Sequence, residues 1–295
     1  MRIANLDGRL VIVTDAGVVD VEEASSQRFQ ADPQSIYPQW DHFREWAASA
    51  DLSDAQPVFD TALLRPPAPR PAQLFAVGLN YREHAAETGL QLPQHPMVFT
   101  KFVSCLTGAY SAIAIPEAGN TDWEVELVVV IGRRAHRVSA ERGWEHVAGL
   151  SVGQDLSERI TQIRDPAPQQ MSLGKSLPGY GPVGPWLVTP DELPDPDNLQ
   201  MSCAVDGVQM QKACTADMIF PVAELIAQLS EVLPLLPGDV LFTGTPAGVG
   251  YGMKPPRYLR PGQTLVSRID GIGELRNLIV AERNSVSTYP RESDT

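Results

Sequence analysis

The chain has 295 residues, a formal net charge of −13 and a pI near 4.8. That balance argues against nucleic acid or an anionic membrane as partner, and it leaves room for a small acid held by a metal or a local Lys/Arg pocket. Hydrophobic residues make up 43% and charged residues 20%, ordinary for a soluble globular protein with one large domain, or one large and one small. Cys105, Cys203 and Cys214 are odd in number and lack C-x-x-C spacing, so neither a zinc site nor a disulfide framework is suggested and a reducing compartment is. The start has no long apolar region and no run approaches transmembrane length, which points to a cytoplasmic protein.

Residues 1 to about 22 read as a β-meander, with turn signals at Asp7-Gly8 and Asp15-Ala16-Gly17 between Ile3–Asn5, Leu10–Thr14 and Val18–Val21. A helix is predicted from Gln39 to Ala50, where Trp40, Phe43 and Trp46–Ala47 form one stripe. The stiff run Arg65–Pro71 marks the boundary of a small N-terminal β/α module, residues 1–70. The main domain then covers 71–283, followed by a polar tail, 284–295.

The main domain opens with a short buried strand, Leu74–Gly78, and a short helix from Arg82 closed by Gly89. His84 and Glu87 share a face of that helix, and a carboxylate beside an imidazole orients it and raises its basicity. The plainer alternative is a surface pair. Asp122–Gly132 is predicted as a strand, with Glu124 and Glu126 pointing to one side. Two such carboxylates either face water on an edge strand or require a cation. The run Val128–Ile131, apolar on both faces, favours burial.

Ala140 to about Val147 is predicted as a helix leading into an apolar stretch that ends at Gln154-Asp155. Asp155 at a strand end would give the two glutamates a third oxygen partner, and three carboxylates without clustered His or Cys suit Mg²⁺ or Mn²⁺. Ser157, Glu158 and Arg159 read as a helical turn with a salt-bridged surface. Asp165–Pro185 reads as a long Pro/Gly/Gln-rich loop containing Gly174-Lys175-Ser176, a length expected of functional loops. It is not a phosphate-binding P-loop, since Gln169 stands where the earlier glycine is needed. Lys175 is either a solvated lysine or the cation beside a metal-bound acid. Pro221–Leu233 is predicted as a helix with Pro221 as its first residue. The strand Val240–Thr243 runs into Gly244–Gly250, which is either an anion-cradling loop or a tight turn. Leu265–Ile269 and Leu275–Val280 close the domain as a hairpin.

Taken in order, Gly78-Leu79-Asn80-Tyr81 with His84 and Glu87, Asp122–Leu127, Gln154–Ser157, Gly174-Lys175-Ser176, Ser202–Gly207, Asp217–Phe220, Pro237-Gly238-Asp239, Thr243–Gly250 and Ile272–Leu275 closely resemble the fumarylacetoacetate hydrolase family in its short bacterial form, over about residues 74 to 280. The resemblance implies an α+β fold, a mixed β-roll or sandwich of the fumarylacetoacetase C-terminal type behind a small N-terminal β/α module, and a homodimer. It implies one Mg²⁺ or Mn²⁺ per subunit on Glu124, Glu126 and Asp155. Lys175 then contacts the substrate, Thr245 seats its carboxylate, Gly244, Gln154, Arg159 and Tyr81 join the substrate site, and His84/Glu87 form a water-activating dyad on a mobile segment. The implied activity is metal-dependent cleavage of a C–C bond in a 2,4-dioxo acid, an acylpyruvate or diketo-deoxy sugar acid, giving pyruvate and a carboxylic acid. Oxaloacetate decarboxylation, 2-oxo acid isomerisation and hydration share the same platform, and a non-catalytic dimeric 2-oxo-acid-binding relative is the alternative of another class. Gln154 and Leu177–Tyr180 depart from the family pattern beside the expected pocket, so the group beyond C4 is expected to be unusual.

Overall fold

A computed structural model describes residues 1–56, 59–89, 91–164 and 171–282. The polar tail 284–295 and Asp165–Gln170 of the expected loop lie outside the described residues. The architecture is α+β, as expected, built on one large mixed sheet of eleven strands and a second sheet of five. The N-terminal meander forms as Arg2–Leu6, Arg9–Thr14 and Gly17–Asp20. Its first strand pairs antiparallel with Gly181–Val188, placing Ile3 opposite Leu187, so the meander extends the large sheet. The core is also continuous, running from Ile3 and Leu10 through Phe43 to the central strands.

The centre of that sheet is Val125–Ile131, every residue of which is buried. It lies between Val147–Gln154 and Val240–Phe242, which is why its valines face apolar side chains on both sides. Glu126 stands opposite Gly153. A side chain at Gly153 would collide with Val128 and Phe242, so this glycine makes room for side chains of the neighbouring strands of the same sheet.

Four expectations are corrected. The latter part of the Pro-rich segment is not loop: Gly181–Val188 is a buried strand. Pro185 fits because the pairing with Val147–Gln154 is irregular there, Val188 standing opposite Leu150 and Gly184 opposite Val152, and proline, lacking a donor, is tolerated where a ladder is interrupted. Pro221 stands just outside the helix Val222–Val232, as its N-cap. The predicted helix at Gln39–Ala50 is shorter, Trp40–Ala47, and Ala140–His146 is a 3-10 helix. Among the described residues no helix is long and apolar enough to cross a membrane.

Candidate active site

The site begins where the central strand stops. Thr121–Asp122 pairs with Ser157–Glu158, and Trp123 and Glu124 bridge from there to Val125. Their backbone leaves the ladder because side-chain amides replace strand partners. The Glu124 N–H donates to Gln154 Oε1 at 2.8 Å and the Val125 N–H to Gln211 Oε1 at 3.0 Å. Trp123, fully buried, donates its indole N–H to the Gly248 carbonyl at 3.0 Å. The Asp155 N–H reaches the Glu124 carbonyl at 2.9 Å, so the strand-end aspartate lands beside the glutamates.

The carboxylates of Glu124, Glu126 and Asp155 therefore converge, with one oxygen of each within 4.8 Å of the others. Their residues are only 6%, 1% and 1% exposed, which excludes an edge strand facing water. Three buried cations surround them. Lys175 Nζ lies 2.6 Å from Glu124 and 2.7 Å from Asp155. Arg159 reaches Glu124 at 2.7 Å and Asp122 at 2.6 Å. Lys101 Nζ lies 2.6 Å from Asp155 and also donates to the carbonyls of Lys175 and Tyr180. Glu126 instead accepts the Gly244 N–H at 2.7 Å.

These contacts split the carboxylates electrostatically. Burial pushes Glu124 up, but Lys175, Arg159 and His84 outweigh it and hold the carboxyl down at about 2. Burial raises Glu126 well above the ordinary value, and the charges of Asp155 and Glu124 add to the rise. Burial would lower Lys175, yet Asp155 and Glu124 overcome it and its ammonium is held charged. With Asp122 included, four buried carboxylates face three buried cations, and the unmatched negative charge falls on Glu126. An all-oxygen donor set with excess negative charge, spanning about the diameter of a Mg²⁺ or Mn²⁺ coordination shell, fits a hard divalent cation.

A cavity of about 320 Å³ opens on this cluster, lined in part by His84, Glu124, Asp155, Arg159, Lys175 and Thr245. His84 Nδ1 lies 3.2 Å from Glu87 Oε2, on the helix Arg82–Thr88 that ends at Gly89 in a left-handed turn. The Glu87 carboxylate also accepts the Gly248 N–H at 3.2 Å, which ties this pair to the glycine-rich loop. In that loop Thr245 donates to the Val125 carbonyl at 3.0 Å and accepts from Gln211 at 2.9 Å. Gly244 has φ +104, and a side chain there would meet Asn80.

Other expected site residues stand elsewhere. Tyr81 is buried with its hydroxyl 3.1 Å from Met201 Sδ and does not line the cavity. Gln154 also stays in the core, bonded to Ser267 at 2.8 Å as well as to the Glu124 N–H. Gly244 reaches the site through Glu126. Ser157–Arg159 is not a salt-bridged surface: all three residues are buried, and Glu158 caps the turn Arg159–Gln162. Sequence reasoning missed Lys101, Gln211 and the role of Asp122. Lys101 meets Asp155 across 54 residues of chain, and no local spacing records such a pair.

The fold and the acidic cluster define a member of the fumarylacetoacetate hydrolase family, to which this chain belongs: the family's C-terminal domain profile matches residues 73–280. One similar solved structure is titled "a putative HpcE protein", from Mycobacterium smegmatis. It is 53% identical and covers 96% of this chain and 100% of that one, with a TM-score of 0.92. A Burkholderia multivorans protein named "Putative hydrolase" is 47% identical over 216 residues, 72% of this chain and 76% of its own length. Maleylpyruvate hydrolase from Sphingobium sp. SYK-6, solved with manganese(II) and pyruvate, is 26% identical over 96% of this chain and 100% of that one, with a TM-score of 0.75.

Proposed function

We propose that this chain is a Mg²⁺- or Mn²⁺-dependent hydrolase that cleaves a 2,4-dioxo acid to pyruvate and a carboxylic acid. The observation that carries the reading is the convergence of three buried carboxylates within 4.8 Å, two of which, Glu124 and Asp155, line the cavity that also holds His84, with Glu87 behind it. The manganese and pyruvate of the Sphingobium enzyme support both the ion and the product. Glu124, Glu126 and Asp155 would hold the ion, which when bound supplies a Lewis acid for the carboxylate and 2-oxo oxygens of the substrate.

The chain's own residues supply the rest. Glu87 fixes the His84 ring through Nδ1, so Nε2 takes the proton from a water that adds to the C4 carbonyl. Collapse of that adduct breaks C3–C4. The electron pair passes to the three-carbon fragment as an enolate, which is protonated at C3 to give pyruvate, while C4 leaves as the new carboxylic acid. The Lys175 ammonium lies where it would stabilise the enolate oxygen as charge builds. A water-activating pair favours hydrolysis over decarboxylation, which needs no added water.

The test follows loss of acetylpyruvate absorbance with Mn²⁺ and with EDTA. Metal-dependent cleavage is expected, reduced about 10²- to 10⁴-fold in His84→Ala with Mn²⁺ binding retained. Rapid decarboxylation of oxaloacetate with no cleavage of any acylpyruvate would overturn the reading. We extend it to a homodimer, supported by the edge strand Met97–Thr100 and the turn after it, where Val98, Phe102 and Val103 are exposed. Light scattering that returns a monomer mass removes this part.

A further inference from the structure

We infer that the group beyond the dioxo head of the substrate is an uncharged hydrocarbon and not a second carboxylate. The inference rests on the dioxo-acid reading above. Charge sets the limit. The obvious receptor for a distal carboxylate is Arg159, and four of its five N–H groups are already committed. Nε and one terminal nitrogen donate to Asp122, the latter also to Glu124, and the other terminal nitrogen donates to Gln162 at 2.8 Å. Lys175 is held between Glu124 and Asp155, and the His84–Glu87 pair adds no net positive charge. The four buried carboxylates and three buried cations around the cluster reach neutrality with one divalent ion and one head carboxylate. A second carboxylate would add a negative charge that no further cation among the described lining residues matches. Among the described residues, much of the remaining wall is apolar: Met97, Phe99, Ile163, Met171 and Val249. Arg164, the adjacent cation in sequence, is exposed and does not line the cavity. Residues 165–170 contain no lysine or arginine.

Calorimetric binding to the Mn²⁺-loaded protein tests this without turnover. The probes are pyruvate, 2-oxobutanoate, 2-oxopentanoate, 2-oxohexanoate and 2-oxoadipate, the last two matched in carbon number and differing by the distal carboxylate. Affinity is expected to rise up to about fourfold per added methylene, and 2-oxohexanoate to bind at least about tenfold tighter than 2-oxoadipate. Met97→Lys, which brings a cation to the wall, should narrow or reverse that preference. Equal or tighter binding of 2-oxoadipate by the unaltered protein overturns the inference while leaving the dioxo-acid reading intact. If pyruvate itself fails to bind, that reading falls and the inference with it.

Discussion

Replacing Glu126 by Gln should remove metal binding while leaving the metal-free protein at least as stable. Glu126 is 1% exposed and shares a 4.8 Å cluster with Glu124 and Asp155. At that separation each like-charge pair costs about 3–4 kcal/mol at an effective dielectric of about 20, and Lys175 offsets only part of this. Glu126 therefore keeps its proton above the ordinary value of 4.5, whereas the unfolded chain releases it there. The folded state binds the extra proton, so wild-type stability without metal falls as pH rises from 4.5 towards the raised folded value. Gln does not titrate. In EDTA the two proteins should match within about 1 kcal/mol near the ordinary carboxylate value. Above it the variant should gain by up to about 1.4 kcal/mol per pH unit until the folded value is passed. In Mn²⁺ only the wild type responds: at about 100 times Kd it gains about 2.7 kcal/mol, roughly 4 °C in Tm for a chain of this size, and the variant gains almost none. Urea melts and thermal scans across pH, with and without Mn²⁺, read both effects. A variant that responds to Mn²⁺ like the wild type, or loses several kcal/mol in EDTA, refutes the reasoning.

Three other substitutions probe different parts of the site. Lys101→Met should cost about 3–5 kcal/mol in urea melts, because it leaves buried Asp155 and two backbone carbonyls without their shared donor; a loss below 1 kcal/mol would show the lysine to be dispensable. Glu87→Ala should lower kcat about tenfold to a hundredfold through loss of imidazole orientation and leave calorimetric Mn²⁺ affinity unchanged, so an equal fall in affinity would contradict a positioning role. Asn80→Ala should destabilise by about 2–4 kcal/mol, since Asn80 donates to the carbonyls of Phe220 and Thr243 and accepts the Phe220 N–H. It should also weaken Mn²⁺ binding through Gly244, and an unchanged melting curve would sink the argument.

The carboxylates were legible in the sequence because their signal is local. The Glu-x-Glu spacing brings Glu124 and Glu126 together even though Glu124 stands just before the strand Val125–Ile131, and the valine run after them implies burial. The burial of Arg159 was not legible from local spacing, although the family resemblance placed it in the substrate site. Ser157-Glu158-Arg159 has the polarity of a surface turn, and only tertiary pairing with Asp122, 37 residues earlier, carries it inside. Tyr81 failed for a related reason: it sits next to the expected helix, but its backbone bridges to Met218 and its ring enters the core. The strand Gly181–Val188 was hidden by its two prolines; the penalty of Pro185 is relieved because the pairing is irregular there.

The carboxylate floor and the apolar wall of the cavity belong to different kinds of structure. The acids are fixed from the central strands, in part by amides borrowed from the second sheet, whereas Ile163, Phe99 and Met171 hang from a short helical turn, an edge strand and another four-residue helix. Alterations of the wall thus disturb few long-range bonds, while alterations of the floor disturb many. A lineage built on this plan can drift in what it accepts without renegotiating how it reacts. Libraries seeking new acyl preferences belong on the wall, where most variants should still fold.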